Sequence, residues 1–249
     1  MKNNCLAAKG AAVPILFSTP MVKAILSGQK KMTRRIVKTQ PETHHWNMFK
    51  EYKQGANILD AENGTFARFY DSLELPKSKG HEYNVTVKFP YGAIDSLLWV
   101  RETWRIVHVN HKLKSGDFFT IQFKDYEVKN YSEMKDIQEF LRDKFYAKPY
   151  EIGEIGDAYG QWKPSIFMPK VACRIYLKIT DIRTEKLQDI SEADAFDEGT
   201  QDLNGEQASP GWGLCQARFE QLWKKINGEK SWNENPYVWV IQFERAAGC

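Results

Sequence analysis

Lys30, Thr33 and Arg35 bring an amine, a hydroxyl and a guanidinium into a six-residue stretch, with Lys31 and Arg34 interleaved. A desolvated amine can act as a base and a hydroxyl as a nucleophile. A guanidinium can grip phosphate through two parallel donors or steady a developing oxyanion. The stretch equally suits a solvated edge strand, where lysines discourage pairing with a second sheet. No acidic residue precedes Glu42, whereas Lys2, Lys9, Lys23, Lys30, Lys31, Arg34, Arg35 and Lys38 do. In sequence, then, the charge has no local partner. A turn of this composition is suited to a phosphate or a polarised carbonyl.

Two further constellations could do chemistry. Asp197-Glu198 ends a short helical pattern that starts at Ser191, immediately before Gly199. Acids at a helix C-terminus oppose the macrodipole by about 0.3–1 kcal/mol, and such rule-breaking positions are enriched at functional sites. Were Glu198 to face the basic stretch, it could orient a lysine or take a proton. Trp99-Val100-Arg101-Glu102-Thr103-Trp104 reads either as a core strand ending in an Arg–Glu pair or as an aromatic platform. In the second case an aromatic ring such as Trp99 stacks on a base while Arg101 meets phosphate or base. His44, His45, His81, His108 and His111 form no familiar ligand spacing, so neither a metal nor another cofactor is expected.

The elements that must position these groups are legible in outline. Val13–Phe17 reads as a strand. Ser18-Thr19-Pro20 opens a helix with a capping hydroxyl and a first-turn proline, Met21, Val22, Ile25 and Leu26 stripe it, and Gly28 stops it. Alternation from Lys31 to Val37 sets Lys31, Thr33 and Arg35 on one strand face, with Met32, Arg34 and Ile36 on the other. Residues 39–90 read as a polar, aromatic, irregular insertion and residues 105–165 as a second one. Within the latter, Phe118–Phe123 reads as a strand and Met134, Ile137, Phe140 and Leu141 as a helical stripe. Leu97–Trp104 and Cys173–Leu187 read as strands. Phe219, Leu222, Trp223 and Ile226 stripe a helix closed by Gly228, and Tyr237–Phe243 is a last strand. Strands and short helices without a regular βαβ rhythm indicate an α+β barrel in a single domain spanning residues 1–249.

Bulk properties narrow the partners. The 249 residues can bury a full core, and 42% hydrophobic content is that of a globular chain. Residues 1–100 carry 14 basic against 8 acidic side chains, and residues 101–249 carry 21 against 24. A basic half beside a mildly acidic one points to a locally bound anion rather than to a protein that coats DNA. Cys5, Cys173, Cys215 and Cys249 are dispersed and show no CxxC pair, as expected of reduced thiols in a cytoplasmic protein. No apolar run approaches the roughly 20 residues of a membrane span.

Four blocks of the chain resemble the ASCH domain family of the PUA-like superfamily. Gly28-Gln29-Lys30-Lys31-Met32-Thr33-Arg34-Arg35 resembles its G-x-K-[TS]-x-T-x-R signature, with Lys31 in place of the small hydroxyl residue. Asp95–Glu102 resembles its G-D-x-L-W-V-R-E strand, with one additional residue and without the glycine. Leu187–Glu192 and Asn235–Val240 resemble two later blocks. The resemblance implies a small mixed β-barrel with flanking helices and two large insertions, as in phage or prophage members. It implies binding of RNA or of a modified nucleoside or nucleotide, in the cytoplasm of a bacterial or phage-infected cell. Small bacterial members hydrolyse the amide of N4-acetylcytidine, and their lysine, threonine and glutamate fall on Lys30, Thr33 and Glu198. Lys31, Arg34, Arg35, Trp99, Arg101 and Glu102 are then expected to contact substrate. A non-catalytic nucleotide- or RNA-binding module, a ribonuclease, and a phage accessory protein that binds a host protein through residues 39–90 remain the alternatives.

Overall fold

The computed structural model describes residues 12–40, 52–61, 64–73, 85–110, 118–125, 127–131, 161–200 and 213–246. It is a mixed α+β structure. Val13–Leu16 (β1), Leu97–Arg101 (β6), Tyr176–Lys186 (β10), Tyr237–Arg245 (β11) and Met32–Ile36 (β2) make a five-stranded sheet in the order β1-β6-β10-β11-β2. Tyr52–Ala61 (β3), Gly64–Leu73 (β4) and Val85–Lys88 (β5) make a three-stranded sheet. So do Trp104–Asn110 (β7), Phe118–Phe123 (β8) and Val128–Tyr131 (β9). The helices are Thr19–Leu26 (α1), Glu192–Asp197 (α2), Leu214–Asn227 (α3) and Glu229–Asn233 (α4). The expected closed barrel is not found among the described residues, where β1 and β2 stand at opposite edges of an open sheet.

The chain divides into two compact units, Met1–Leu26 with Leu98–Leu177 and Ala246–Cys249, and Ser27–Leu97 with Lys178–Arg245. The first has a core of Trp99, Trp104, Ile121, Phe123, Met168, Ala172, Cys173 and Tyr176. In it β1 runs parallel to β6, and β7 pairs antiparallel with β8. The second packs Met32, Val238 and Val240 from β2 and β11 against Ala195 of α2 and Cys215, Phe219 and Trp223 of α3. Burying side chains of that size fully is worth about 1.5–3 kcal/mol each.

Most expected elements are present, with instructive differences. The strand expected over Leu97–Trp104 is two strands, interrupted after Arg101 where Trp104 turns to exchange backbone hydrogen bonds with Lys163. Residues 39–90 are less irregular than their composition suggested, because β3 and β4 pair in register from Tyr52↔Leu73 to Ala61↔Gly64. In α3 the buried face is Cys215, Arg218, Phe219 and Trp223, and Ile226 is exposed. The helix expected near residues 134–141, His44, His45, His81 and His111, and the terminal cysteines lie outside the described residues. Among the described residues no helix is long and apolar enough to cross a membrane.

Candidate active site at the junction of β2 and α2

The site is built by two short elements that the sequence specifies well. Gly28, at φ 77°, ends the turn after α1 and delivers Lys30 and Lys31 to the start of β2. β2 is an edge strand, paired antiparallel with β11 so that Thr33, Arg34 and Arg35 lie opposite Ile241, Val240 and Trp239. Direct partners share a face, so Thr33 and Arg35 lie with Trp239, while Met32 and Arg34 point to the side of α2 and α3. Helix α2 begins where Ser191 Oγ accepts from the Asp194 amide at 3.1 Å. Its Glu192 carboxylate accepts from the Cys215 and Gln216 amides at 2.9 and 3.0 Å, serving the first turn of α3, where Gly213 offers no capping side chain. Glu198 is the C-cap, and Gly199 at φ 83° stops the helix.

Lys30 and Glu198, 168 positions apart, meet at this junction. The Lys30 ammonium donates to Glu198 Oε2 at 2.6 Å and to the Glu198 carbonyl at 2.8 Å. The helix end that carries two acids against its own dipole thus receives a cation on its terminal carbonyl. The Lys30 side chain is fully buried and Glu198 is 4% exposed. Burial pushes Lys30 below the ordinary lysine range. The Glu198 charge and hydrogen bond oppose that push, and Arg35 and Arg34 add to it. A lysine under these pressures exchanges its proton nearer neutrality than a solvated one.

Arg34 completes the network. Its Nη1 donates to the other Glu198 oxygen, Oε1, at 3.2 Å and to Met32 Sδ at 3.5 Å. Nε and Nη2 both reach Glu185 Oε1, Nη2 also reaches Asp194 Oδ2 at 2.8 Å, and the guanidinium lies 5.7 Å from the Phe219 ring centroid. Dehydration alone would lower its pKa, but Glu198, Glu185 and Asp194 reverse the sign and raise it. Arg183 extends the chain by donating to Asp194 and Glu185. All five donors of Arg34 are therefore engaged within the protein. The acids that hold it lie far downstream, so a reading confined to local sequence left the basic stretch unpartnered.

The remaining expected residues are placed as follows. Thr33 is 1% exposed, and its Oγ1 accepts from Arg35 Nη1 at 3.0 Å, on the face opposite Arg34. Arg35 is half-buried and also donates to the Arg34 carbonyl. Lys31 is exposed and stands 3.8 Å from Asp197, while its backbone N–H donates to the Asp197 carbonyl. The structure thus brings Lys30 to Glu198 and Thr33 to Arg35.

Trp99, Arg101 and Glu102 belong to the other unit. Glu102 is buried in a two-point pair with Arg174, Nε to Oε1 at 2.9 Å and Nη2 to Oε2 at 2.7 Å, and Arg174 also holds Asp125. Trp99 sits in the core with Arg101 over its ring at 5.3 Å, so the face expected to stack on a base carries the protein's own cation. Arg101 also donates to the Ile166 carbonyl, and its Nε is buried without a partner among the described residues.

Glu185, Asp194 and Arg183 were missed by the sequence reading. Asp181, Arg183 and Glu185 occupy alternate positions of β10, a charged stripe on one strand face that could have signalled an internal ion network. No family model, no curated protein and no solved structure matches the chain.

Proposed function

We propose that the chain is a PUA-like, ASCH-type amidohydrolase of acylated nucleosides, with N4-acylated cytidine as the substrate class. The single observation that carries this is the Lys30–Glu198 contact of 2.6 Å, fully buried, with the lysine pushed below its ordinary range. A buried amine that burial pushes below its ordinary range can serve as the base that activates a hydroxyl nucleophile. Support also comes from Thr33, whose oxygen accepts from Arg35 and so keeps its proton for a base. Arg35 is close enough to act on the Lys30 charge.

In this reading Lys30, in its neutral form, takes the Thr33 hydroxyl proton as Thr33 Oγ1 bonds to the acyl carbon. The carbon–nitrogen bond then breaks, and Lys30 returns the proton to the departing cytosine amine while Glu198 holds the ammonium in place. Water hydrolyses the threonine ester, releasing the carboxylic acid and restoring the hydroxyl. Arg35 offsets negative charge on the carbonyl oxygen during both steps. The five-stranded mixed sheet with flanking helices is compatible with the PUA-like assignment at the level of fold class.

A second reading, a non-catalytic nucleotide- or RNA-binding module, is favoured by the closure of the network. Both Glu198 oxygens and all five Arg34 donors are used internally. Incubating the purified protein with N4-acylated cytidines and with short RNAs separates the readings. Release of free cytidine and acid supports the hydrolase, whereas salt-dependent retention of unaltered ligand supports the module. Shortened RNA supports a ribonuclease instead.

A further inference from the structure

We infer that Arg34 is a positioning residue whose guanidinium fixes Glu198 and supplies the counter-charge that allows Lys30 to lose its proton. This deepens the hydrolase reading and rests on it for its purpose, but not for its test. The sequence placed Arg34 among residues that contact substrate, and the geometry gives it a different task.

An isolated buried lysine–glutamate pair locks itself. Removing the ammonium proton leaves a buried carboxylate with no partner, which is strongly unfavourable. Here the carboxylate is divided, with Oε2 facing Lys30 and Oε1 facing Arg34 at 3.2 Å. When Lys30 becomes neutral, Glu198 is still paired. Arg34 cannot swing away, because Glu185, Asp194, Met32 and the Phe219 ring hold it on all sides. Among the described residues, the charged groups that bear on Lys30 include Glu198 at the end of α2 and Arg34 and Arg35 on β2. Both guanidiniums weaken its hold on the proton. Beyond them, Asp197 is matched by Lys31, and Asp194 and Glu185 by Arg183.

The test follows the Lys30 side-chain resonance in protein carrying 13C-labelled lysine, assigned by its disappearance in Lys30→Arg. The pH midpoint is compared in the native sequence, Arg34→Lys, and the charge-balanced double variant Arg34→Met with Glu185→Gln. In the double variant the midpoint should move upward by about one unit or more, the size expected for loss of a nearby like charge. In Arg34→Lys it should move less, since the charge is kept, but still upward, since a point charge cannot hold three carboxylates as a planar fork does. An unmoved midpoint in a folded double variant overturns the inference, and if that variant does not fold, an unmoved midpoint in Arg34→Lys does so. A raised midpoint in a protein that hydrolyses no acylated nucleoside would leave the role of Arg34 standing and remove the hydrolase. Hydrolysis with an unmoved midpoint would do the reverse.

Discussion

Each of the two units contains a buried ionic cluster, and the two are composed differently. In the unit with β6 and β8, one guanidinium, Arg174, serves two carboxylates, Glu102 and Asp125. In the unit with β2 and α2, two cations, Lys30 and Arg34, divide one carboxylate, Glu198. Burial dominates in both and drives the weaker ion toward neutrality. Glu102 is pushed up, against Arg174 and with help from Asp125, while Lys30 is pushed down. The first cluster leaves an acid that gives up its proton less readily than an exposed glutamate, sealed by a two-point ion pair beside Phe123. The second leaves an amine that tends to release one. A perturbed pKa alone therefore does not distinguish a structural cluster from a candidate site, and the chemistry of the perturbed group does.

The largest difference between the clusters should appear on removing their central acids. Glu198→Ala takes the carboxylate from the fully buried Lys30 ammonium, while Arg34 keeps Glu185 and Asp194, and should cost about 3–5 kcal/mol in urea unfolding. Glu102→Ala leaves Arg174 its bond to Asp125 and should cost less, about 1–3 kcal/mol. The reverse order would show that the two-point pair is the stronger device.

Smaller and opposite in sign are the pH effects. Glu102 has a raised folded pKa, so its stabilising contribution is present below the ordinary glutamate value and is lost as pH climbs through the raised one. Glu102→Gln should flatten that loss. Lys30 has a lowered folded pKa, so its contribution is present above the ordinary lysine value and is lost as pH falls through the lowered one. Lys30→Met should remove the corresponding gain on raising pH. Denaturation midpoints measured across pH for both variants would check the two slopes, and parallel slopes would contradict the comparison.

The smallest effects concern the frame. Ser191→Ala deletes the cap of α2 and should cost about 1 kcal/mol in thermal or urea unfolding. Lys31→Ala breaks only an exposed pair at 3.8 Å and should change stability by less than about 0.5 kcal/mol. A larger loss for Lys31 than for Ser191 would mean that Lys31 has a role the geometry does not reveal.

Local patterns made the frame of the site legible. Gly28, the Ser191 cap, Gly199 and the alternation of β2 all follow from side-chain chemistry acting over a few residues. Glu198 was found because it breaks a local rule, and its contact with Lys30 supplies the physical reason, a cation on the helix end. The partners of Arg34 were not legible, because pairing across more than 150 positions is fixed by sheet register and helix docking, which no local pattern encodes. The same limit hid Arg174, the partner of Glu102. The two long strands β3 and β4 were missed for a different reason. Their alternation is diluted by Gly55 and by polar residues on both faces.

The central claim, that Lys30 is the proton-exchanging group of an acyl-nucleoside hydrolase, is tested most directly by the steady-state hydrolysis of N4-acetylcytidine. Native protein, Lys30→Met and Thr33→Val would be compared, each shown to be folded. The account predicts measurable turnover by the native sequence and a fall in kcat of about a hundredfold or more in both variants, with little change in KM. Turnover by Lys30→Met within a few-fold of the native rate would contradict it.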